Sequence, residues 1–112
     1  MNKFVKSKPM REILYRETRV AKALGDPAKY LIVDSLLQLG PMSVSQIVKK
    51  VSRSQPTVSN HLSKLKSLDI VRFETKRDGI YYWLKYEKEI RAIKMALADF
   101  VNRSLVGVHY EI

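Results

Sequence analysis

Apolar residues recur at helical spacing in the first part of the chain. From Met10 to Leu24 they fall on one helical face, which predicts an amphipathic helix that ends at Gly25. Asp26-Pro27 predicts the start of a second helix, because Asp accepts hydrogen bonds from free N–H groups and Pro at the next position loses no bond. We expect this second helix to end at Gly40-Pro41.

Two shorter helices follow, joined by a tight connection. Ser43-Val44-Ser45-Gln46 has the spacing of a capping box and predicts a helix that extends to about Val51. Ser54 is the expected N-cap of the next helix, which tolerates Pro56 in its first turn and ends near Leu68. The apolar residues that predict the buried face of this helix are Val58, Leu62 and Leu65.

The pattern then changes from helical spacing to alternation. Every second residue is apolar or β-branched over 71–76 and again over 80–85, which predicts two strands, and Arg77-Asp78-Gly79 predicts a hairpin turn between them. The aromatic run in the second strand favours a core or interface role over a base-stacking platform. We expect Tyr82 to face the core with Ile80 and Leu84, while Tyr81 and Trp83 project the other way.

The order of elements predicts the fold class. Apolar residues return to helical spacing from Glu87, so four helices, a β-hairpin and a fifth helix follow one another. This order describes a mainly α protein of the α+β kind with a winged helix-turn-helix. We expect a basic flexible arm over 1–9, the winged helix-turn-helix domain over 10–105 and a tail over 106–112.

The helix after Ser54 separates a buried face from a polar one. At about 100° per residue, the side opposite Val58 carries short, uncharged polar side chains with one lysine, Lys64, at its edge. An ordinary solvated face would carry Glu and Lys, whereas Gln and Asn can bond adenine twice and Ser and Thr can bond several bases in the major groove. The side chains predicted to read bases are Gln55, Thr57, Ser59, Asn60 and Ser63.

Charge supports a polyanionic partner. The chain carries 21 Lys and Arg against 11 Asp and Glu, a net charge of +10, which favours nucleic acid first and an anionic membrane surface second. Residues 41–79 contain eight basic and three acidic residues, most of them around the predicted reading helix. Phosphate contacts position a protein on DNA without reading sequence. The residues predicted to contact the DNA backbone are Lys49, Lys50, Arg53, Ser54, Lys64, Lys76 and Arg77.

Several classes of function are excluded by what the sequence lacks. Cysteine is absent, which excludes disulfides, thiolate metal sites and thiol-based sensing. We expect neither an enzyme nor a cofactor, because neither a Gly-rich phosphate loop nor a nucleophile with a paired base is present. Without a membrane-spanning run or an export signal, we expect a cytoplasmic, nucleoid-associated protein. His61 lies beside the buried face of the reading helix, where a half-buried packing and hydrogen-bonding role is favoured over a backbone contact.

Four segments together resemble the ArsR/SmtB family of winged helix-turn-helix regulators. They are residues 23–32 (ALGDPAKYLI), 54–65 (SQPTVSNHLSKL), 70–71 (IV) and 79–84 (GIYYWL). The resemblance implies a homodimer formed by the first and last helices, which binds an inverted repeat in double-stranded DNA and usually represses transcription. Both terminal helices carry apolar residues suited to helix pairing. The residues predicted at the dimer interface are Ile13, Val20, Ile90, Ile93, Leu97 and Phe100.

The chain departs from the family where many members bind metals. Residues 42–47 (MSVSQI) carry Ser at the positions where thiolates would stand, and the predicted last helix offers Glu87, Glu89 and Asp99 but no histidine. Because Ser binds soft metals poorly, we expect no metal site and no transition-metal sensing. A small-molecule effector, a protein effector and regulation without a signal all stay open. So does the alternative of a winged-helix module that binds DNA or RNA without sequence preference, or binds protein.

Overall fold

The computed structural model describes the backbone of residues 2–111 and the side chains of residues 11–104. Its order of helices and hairpin confirms the predicted mainly α fold class, with a small antiparallel sheet. The helices are α1 (Asn2–Leu24), α2 (Pro27–Leu39), α3 (Val44–Val51), α4 (Gln55–Ser67) and α5 (Glu87–Glu111), and the strands are β1 (Met42–Ser43), β2 (Val71–Lys76) and β3 (Gly79–Leu84).

Local side-chain caps begin three of the helices, as the sequence predicts. Asp26 accepts a hydrogen bond from the Lys29 amide at 3.1 Å at the start of α2. Ser43 and Gln46 form the complete capping box of α3, each side chain accepting from the other's backbone N–H. Ser54 begins α4 as its N-cap. A cap of this kind stabilises a helix by about 1 kcal/mol.

The connection between α3 and α4 turns through a left-handed residue. Ser52 has φ 55° and ψ 47°, and its amide donates to the Val48 carbonyl at 3.0 Å, which closes the end of α3. This conformation is costly for most L-residues, and a helix commonly ends with such a residue because it reverses the chain. Helix α4 begins three residues later, so the left-handed Ser52 lies in the turn that joins the two helices of the helix-turn-helix.

The three strands form one antiparallel sheet in the order β1-β3-β2. In the wing formed by β2 and β3, Val71 pairs with Leu84 and Phe73 with Tyr82. The sequence did not predict β1, because two residues are too short to show alternation. Met42 of β1 pairs with Tyr82, so the chain just before α3 is hydrogen-bonded to the wing.

The core lies between α2, α3, α4 and the base of the wing. Its fully buried side chains are Ile32, Val33, Leu36, Ile47, Val51, Val58, Leu62, Leu65 and Val71. Among the side chains that the structure describes, both terminal helices contribute little to it: α1 contributes Ala23 and Leu24, and α5 contributes Ile90. Most of the described apolar surface of α1 and α5 therefore lies outside the core of the single chain.

Only the base of the wing packs against the core. Val71 and Leu84 are buried and Tyr82 packs half-buried against the core, as expected for Tyr82 and Leu84. Ile80 is exposed, and the expectation that it faces the core is wrong. The alternation is correct, but the hairpin extends past the helices, so its far residues have nothing to pack against.

Both terminal helices extend over segments that the sequence pattern assigned to an arm and a tail. The backbone of α1 is helical from Asn2 rather than from Met10, and α5 continues to Glu111. The predicted first helix begins only at Met10 because the basic segment before Pro9 shows no apolar face. The side chains of 1–9, of 106–112 and of His109 lie outside the described residues, and the division into arm, domain and tail stays a prediction.

Candidate nucleic-acid interface

Helix α4 buries one face completely and exposes the polar face that the sequence predicts to read bases. Val58, Leu62 and Leu65 have no exposed surface. The predicted reading residues that are exposed are Gln55, Ser59, Asn60 and Ser63. Thr57 is half-buried at the edge of this face. The structure therefore brings four of the five predicted residues together on one accessible surface.

The start of α4 is held by a pair of hydroxyl groups. The Ser54 Oγ donates to the Thr57 Oγ1 at 2.9 Å and accepts from the Thr57 amide at 3.3 Å. Both side chains are thus oriented by each other, and the Thr57 hydroxyl keeps its own proton to donate. The first turn of α4 carries no acidic residue, so the partial positive charge of the helix N-terminus is available to an anion.

Basic residues lie on both sides of the turn before α4. Lys49 and Lys50 are exposed in the last turn of α3. Arg53 is also exposed, and its guanidinium lies 3.4 Å from the carbonyl oxygens of Val51 and Ser52. Arg53 therefore helps to satisfy the free carbonyls at the end of α3 while its side chain stays exposed.

At the tip of the wing, the Lys76 side chain lies over the Tyr81 ring. The Lys76 Nζ lies 5.0 Å from the centre of the Tyr81 ring, and the Tyr81 hydroxyl donates to the Asp78 carboxylate at 2.8 Å. This hydrogen bond raises the pKa of Tyr81. Arg77 is exposed in the turn between the strands. The predicted backbone contacts Lys76 and Arg77 are thus at the end of the wing, away from the core.

Lys66 joins the reading helix to the wing, a contact that sequence reasoning missed. Its Nζ lies 4.5 Å from the centre of the Phe73 ring, which in turn lies 5.5 Å from the Tyr82 ring. Helical geometry could have indicated that Lys66 does not share the surroundings of Lys64, because the two side chains lie about 160° apart around α4. The wing therefore flanks one side of α4, and Lys64 lies on the other.

His61 is half-buried beside the apolar face of α4, as predicted. Its Nδ1 is buried and has no hydrogen-bond partner among the described residues, so the expected hydrogen-bonding role is not seen at this atom. The carboxyl group of Asp26 has a lowered pKa, chiefly because it accepts the Lys29 backbone hydrogen bond. The charge of His61 contributes to this shift only in a minor way.

The residues predicted at a dimer interface divide into exposed and buried ones. Ile13, Ile93, Leu97 and Phe100 are exposed, and Phe100 is 71% exposed. Val20 is half-buried and lines an apolar groove between α1 and α5 together with Ile13 and Ile93. Ile90 is only 7% exposed and packs in the core of its own chain. Five of the six residues are therefore accessible to a partner.

No group of three or more His, Asp or Glu side chains is arranged to hold a metal ion within the part of the chain that the structure describes. No helix there combines the length and apolar character needed to cross a bilayer.

Comparison with known proteins identifies the family. The model of the bacterial regulatory protein, arsR family, matches residues 26–72. The transcriptional repressor SdpR of Bacillus subtilis is 37% identical over 84 residues, which are 75% of this chain and 91% of SdpR.

Solved structures agree with this assignment. The crystal structure of NolR from Sinorhizobium fredii matches with a TM-score of 0.74 and 29% identity over 82% of this chain and 90% of NolR. The homodimeric winged helix-turn-helix DNA-binding domain of Mb0332 from Mycobacterium bovis matches with a TM-score of 0.71 and 28% identity over 80% of this chain and 84% of that domain. The chain therefore belongs to the arsR family of bacterial regulatory proteins, and it is a DNA-binding transcriptional regulator and not an enzyme.

Proposed function

We propose that the chain is a homodimeric repressor that binds an inverted repeat in double-stranded DNA and does not sense a metal. The observation that carries the proposal is the exposed, uncharged polar face of α4, with basic residues around it. SdpR is named a repressor and the Mycobacterium bovis domain is described as homodimeric, which supports the repressor and homodimer parts of the proposal. A two-fold dimer places its two reading helices about 34–36 Å apart, one turn of DNA.

Base recognition in this proposal belongs to the exposed amides and hydroxyls of α4. Gln55 and Asn60 each offer a donor and an acceptor to adenine. Ser59 and Ser63 are short enough to let the helix backbone approach the base edges. Thr57, whose hydroxyl accepts from Ser54, donates its remaining proton at the edge of the reading face.

Backbone contacts surround this face. The N-terminus of α4, with Ser54, takes one phosphate through its free amides. The side chains proposed to contact further phosphates are Lys49, Lys50, Arg53, Lys64, Lys76 and Arg77. These contacts hold α4 in the major groove and supply affinity that does not depend on sequence.

Pairing of two chains uses the exposed apolar side of α1 and α5. Ile93, Leu97 and Phe100 lie within about 60° of one another around α5, so they form one stripe. Ile13 and Val20 continue the surface on α1. Burial of this surface stabilises a dimer by about 25 cal/mol for each Å² of apolar area removed from water.

The proposal that the chain does not sense metals rests on the chemistry of α3. Ser43 and Ser45 stand where thiolates would bind a metal, and the Ser43 hydroxyl accepts the Gln46 amide as a helix cap. Hydroxyl groups are poor ligands for soft transition metals.

A direct test selects bound sequences from a random duplex library and then compares Asn60→Ala with Asn102→Ala, the same substitution on α5. We expect Asn60→Ala to weaken binding of the selected sequence about tenfold, because a bidentate amide contact contributes about 1–3 kcal/mol of discrimination. Binding of random duplex stays unchanged, and Asn102→Ala behaves as the wild type. Equal losses on selected and random DNA would contradict base reading by α4 and favour a non-specific DNA-binding module.

A further inference from the structure

A second basic surface lies beside α4, between it and α1. This α1–α4 groove has a volume of about 670 Å³ and is lined by residues of α1, of the start of α2 and of the end of α4. Four of its lining residues are basic, namely Arg19, Lys22, Lys29 and Lys64, and one, Asp26, is acidic. The groove therefore carries a net charge of +3, and neither the family resemblance nor the sequence pattern assigns it a role.

The single carboxylate of the groove is already occupied. Asp26 accepts the Lys29 amide as the cap of α2, and its Oδ2 also lies 3.6 Å from the Lys29 ammonium. The Arg19 guanidinium lies 5.9 Å from the centre of the Tyr15 ring and has no carboxylate partner among the described residues. Several like charges that line one groove create a local potential that attracts an anion. The excess positive charge of Arg19, Lys22 and Lys64 therefore favours binding of an external anion.

The α1–α4 groove continues the reading face of α4. Around the helix, Asn60 lies about 200° from Val58 and Lys64 about 240°, so Lys64 follows directly after Asn60. Lys66, which contacts Phe73 of the wing, lies at about 80°, on the other side of Ser59 and Ser63. The reading face therefore has the wing on one side and the α1–α4 groove on the other.

The order of wing, reading face and α1–α4 groove around α4 matches the cross-section of a DNA duplex. The major groove is about 12 Å wide, which is close to the diameter of a helix with its side chains, so a helix seated in it has a phosphate backbone along each side. With α4 seated in this way, the order around the helix places the wing at one of these strands and the α1–α4 groove at the other.

The groove also stays open in a dimer of the proposed kind. Around α1, Lys22 lies about 160° and Arg19 about 100° from Val20, the centre of its apolar face. A partner chain that covers Val20 and Ile13 therefore leaves Arg19 and Lys22 accessible.

We infer that the α1–α4 groove binds the DNA backbone strand opposite the wing, with Arg19 and Lys22 contacting phosphates beside Lys64. The inference rests on the proposed function, since it assumes that α4 enters the major groove. It adds α1 to the proposed DNA interface.

The test compares Arg19→Gln/Lys22→Gln with Lys88→Gln/Arg91→Gln, which removes two charges from exposed positions of α5. On random duplex, we expect the groove variant to bind at least about fivefold more weakly at about 0.1 M salt, and its salt slope to fall by about 1.8, for two lost phosphate contacts. The α5 variant shifts neither quantity. Sedimentation and thermal unfolding check that both variants keep the assembly and fold of the wild type.

Phosphate ethylation then locates the contact. We expect one cluster of ethylated phosphates that blocks the wild type and no longer blocks the groove variant, on the strand opposite the cluster lost by Lys76→Gln. An unchanged salt slope and interference pattern would overturn the inference. Titration with ATP and with inorganic phosphate is the second arm: binding that the groove variant loses, without any change on DNA, would mean a small phosphate ligand and would equally overturn it.

The two proposals fail separately. The salt slope on random duplex does not depend on base reading, whereas the loss in Asn60→Ala does. If Asn60→Ala bound the selected sequence as tightly as the wild type while the groove variant showed a reduced salt slope on random duplex, base reading would be rejected and the backbone contact kept. The reverse result would reject the backbone contact alone.

Discussion

The ammonium group of Lys94 on α5 lies 2.5 Å from the Oδ1 of Asp34 on α2. The other carboxylate oxygen of Asp34 accepts a hydrogen bond from Gln38 at 3.0 Å, and Lys94 also lies 5.7 Å from the centre of the Tyr30 ring. Both members of the ion pair are partly shielded, with 35% of the Lys94 side chain and 21% of the Asp34 side chain exposed. This ion pair connects the first half of α5 to α2, which is part of the core.

Replacing Lys94 by Met weakens this attachment. We expect the free energy of unfolding to fall by about 0.5–1 kcal/mol, because a partly exposed ion pair contributes little more than a surface pair. Lys88→Met, on the exposed side of the same helix, is the matched control and changes stability by less than about 0.5 kcal/mol. Urea unfolding followed by circular dichroism measures both. A Lys94→Met protein as stable as the control would show that the pair does not hold α5.

The same pair predicts a dependence on alkaline pH. The Asp34 carboxylate raises the pKa of Lys94 above its ordinary value of 10.5. A raised pKa means that the stabilisation is complete below the unfolded pKa and is lost as the pH rises through the folded pKa. The difference in stability between wild type and Lys94→Met is therefore constant from neutral pH to about pH 10 and shrinks above it. A difference that grows with pH would contradict the ion pair.

Two substitutions of Ser54 distinguish its contribution to stability from its contribution to DNA binding. Ser54→Ala removes the cap that accepts the Thr57 amide and lowers the free energy of unfolding by about 1 kcal/mol. Ser54→Asp keeps a cap and favours the helix dipole, so its stability stays near that of the wild type. Its added negative charge faces a phosphate, and we expect weaker binding to every duplex. Thermal unfolding and binding to random DNA check the two halves, and tight binding by Ser54→Asp would contradict a phosphate at this helix end.

Phe100 tests the dimer face. Phe100→Glu places a charge in the apolar stripe of α5, and we expect sedimentation to show dissociation to single chains and affinity for an inverted repeat to fall by at least about tenfold. Met95→Glu is the control, because Met95 is 62% exposed and lies about 140° around α5 from Phe100. If Met95→Glu dissociated the dimer and Phe100→Glu did not, the pairing surface would be on the other side of α5.

Lys76 tests the wing. Lys76→Gln removes a charge at the tip of the hairpin without changing the core, and we expect weaker binding to selected and random duplex alike, with a salt slope reduced by about 1. Lys88→Gln, an equal loss of charge on α5, leaves the slope unchanged. A loss confined to the selected sequence would indicate that Lys76 reads the minor groove rather than a phosphate.

Features determined by neighbouring residues could be predicted from the sequence. The caps at Asp26, Ser43 and Ser54 each join a side chain to the backbone amide three residues later, so their spacing is visible in the sequence. The buried face of α4 follows from helical geometry alone, and Val58 and Leu62 are fully buried as expected.

Contacts between distant segments were not predictable in the same way. The pairing of Met42 with Tyr82 joins residues far apart in the chain, and two residues give no periodic signal. The exposure of Ile80 depends on where the helices end beneath the wing, which alternation does not report. The α1–α4 groove exists only because α1 passes beside the end of α4, so the charges of Arg19 and Lys64 become neighbours through the fold.

The short strand before α3 has a mechanical consequence. Met42 and Ser43 are hydrogen-bonded to the wing, Ser43 also caps α3, and α3 leads through one turn into α4. The wing and α4 are therefore connected through a short, hydrogen-bonded path and not through a free linker. In the proposed dimer, a change that releases DNA then alters the separation of two such units, because a shift of a few ångströms moves both copies of α4 away from the spacing of one DNA turn.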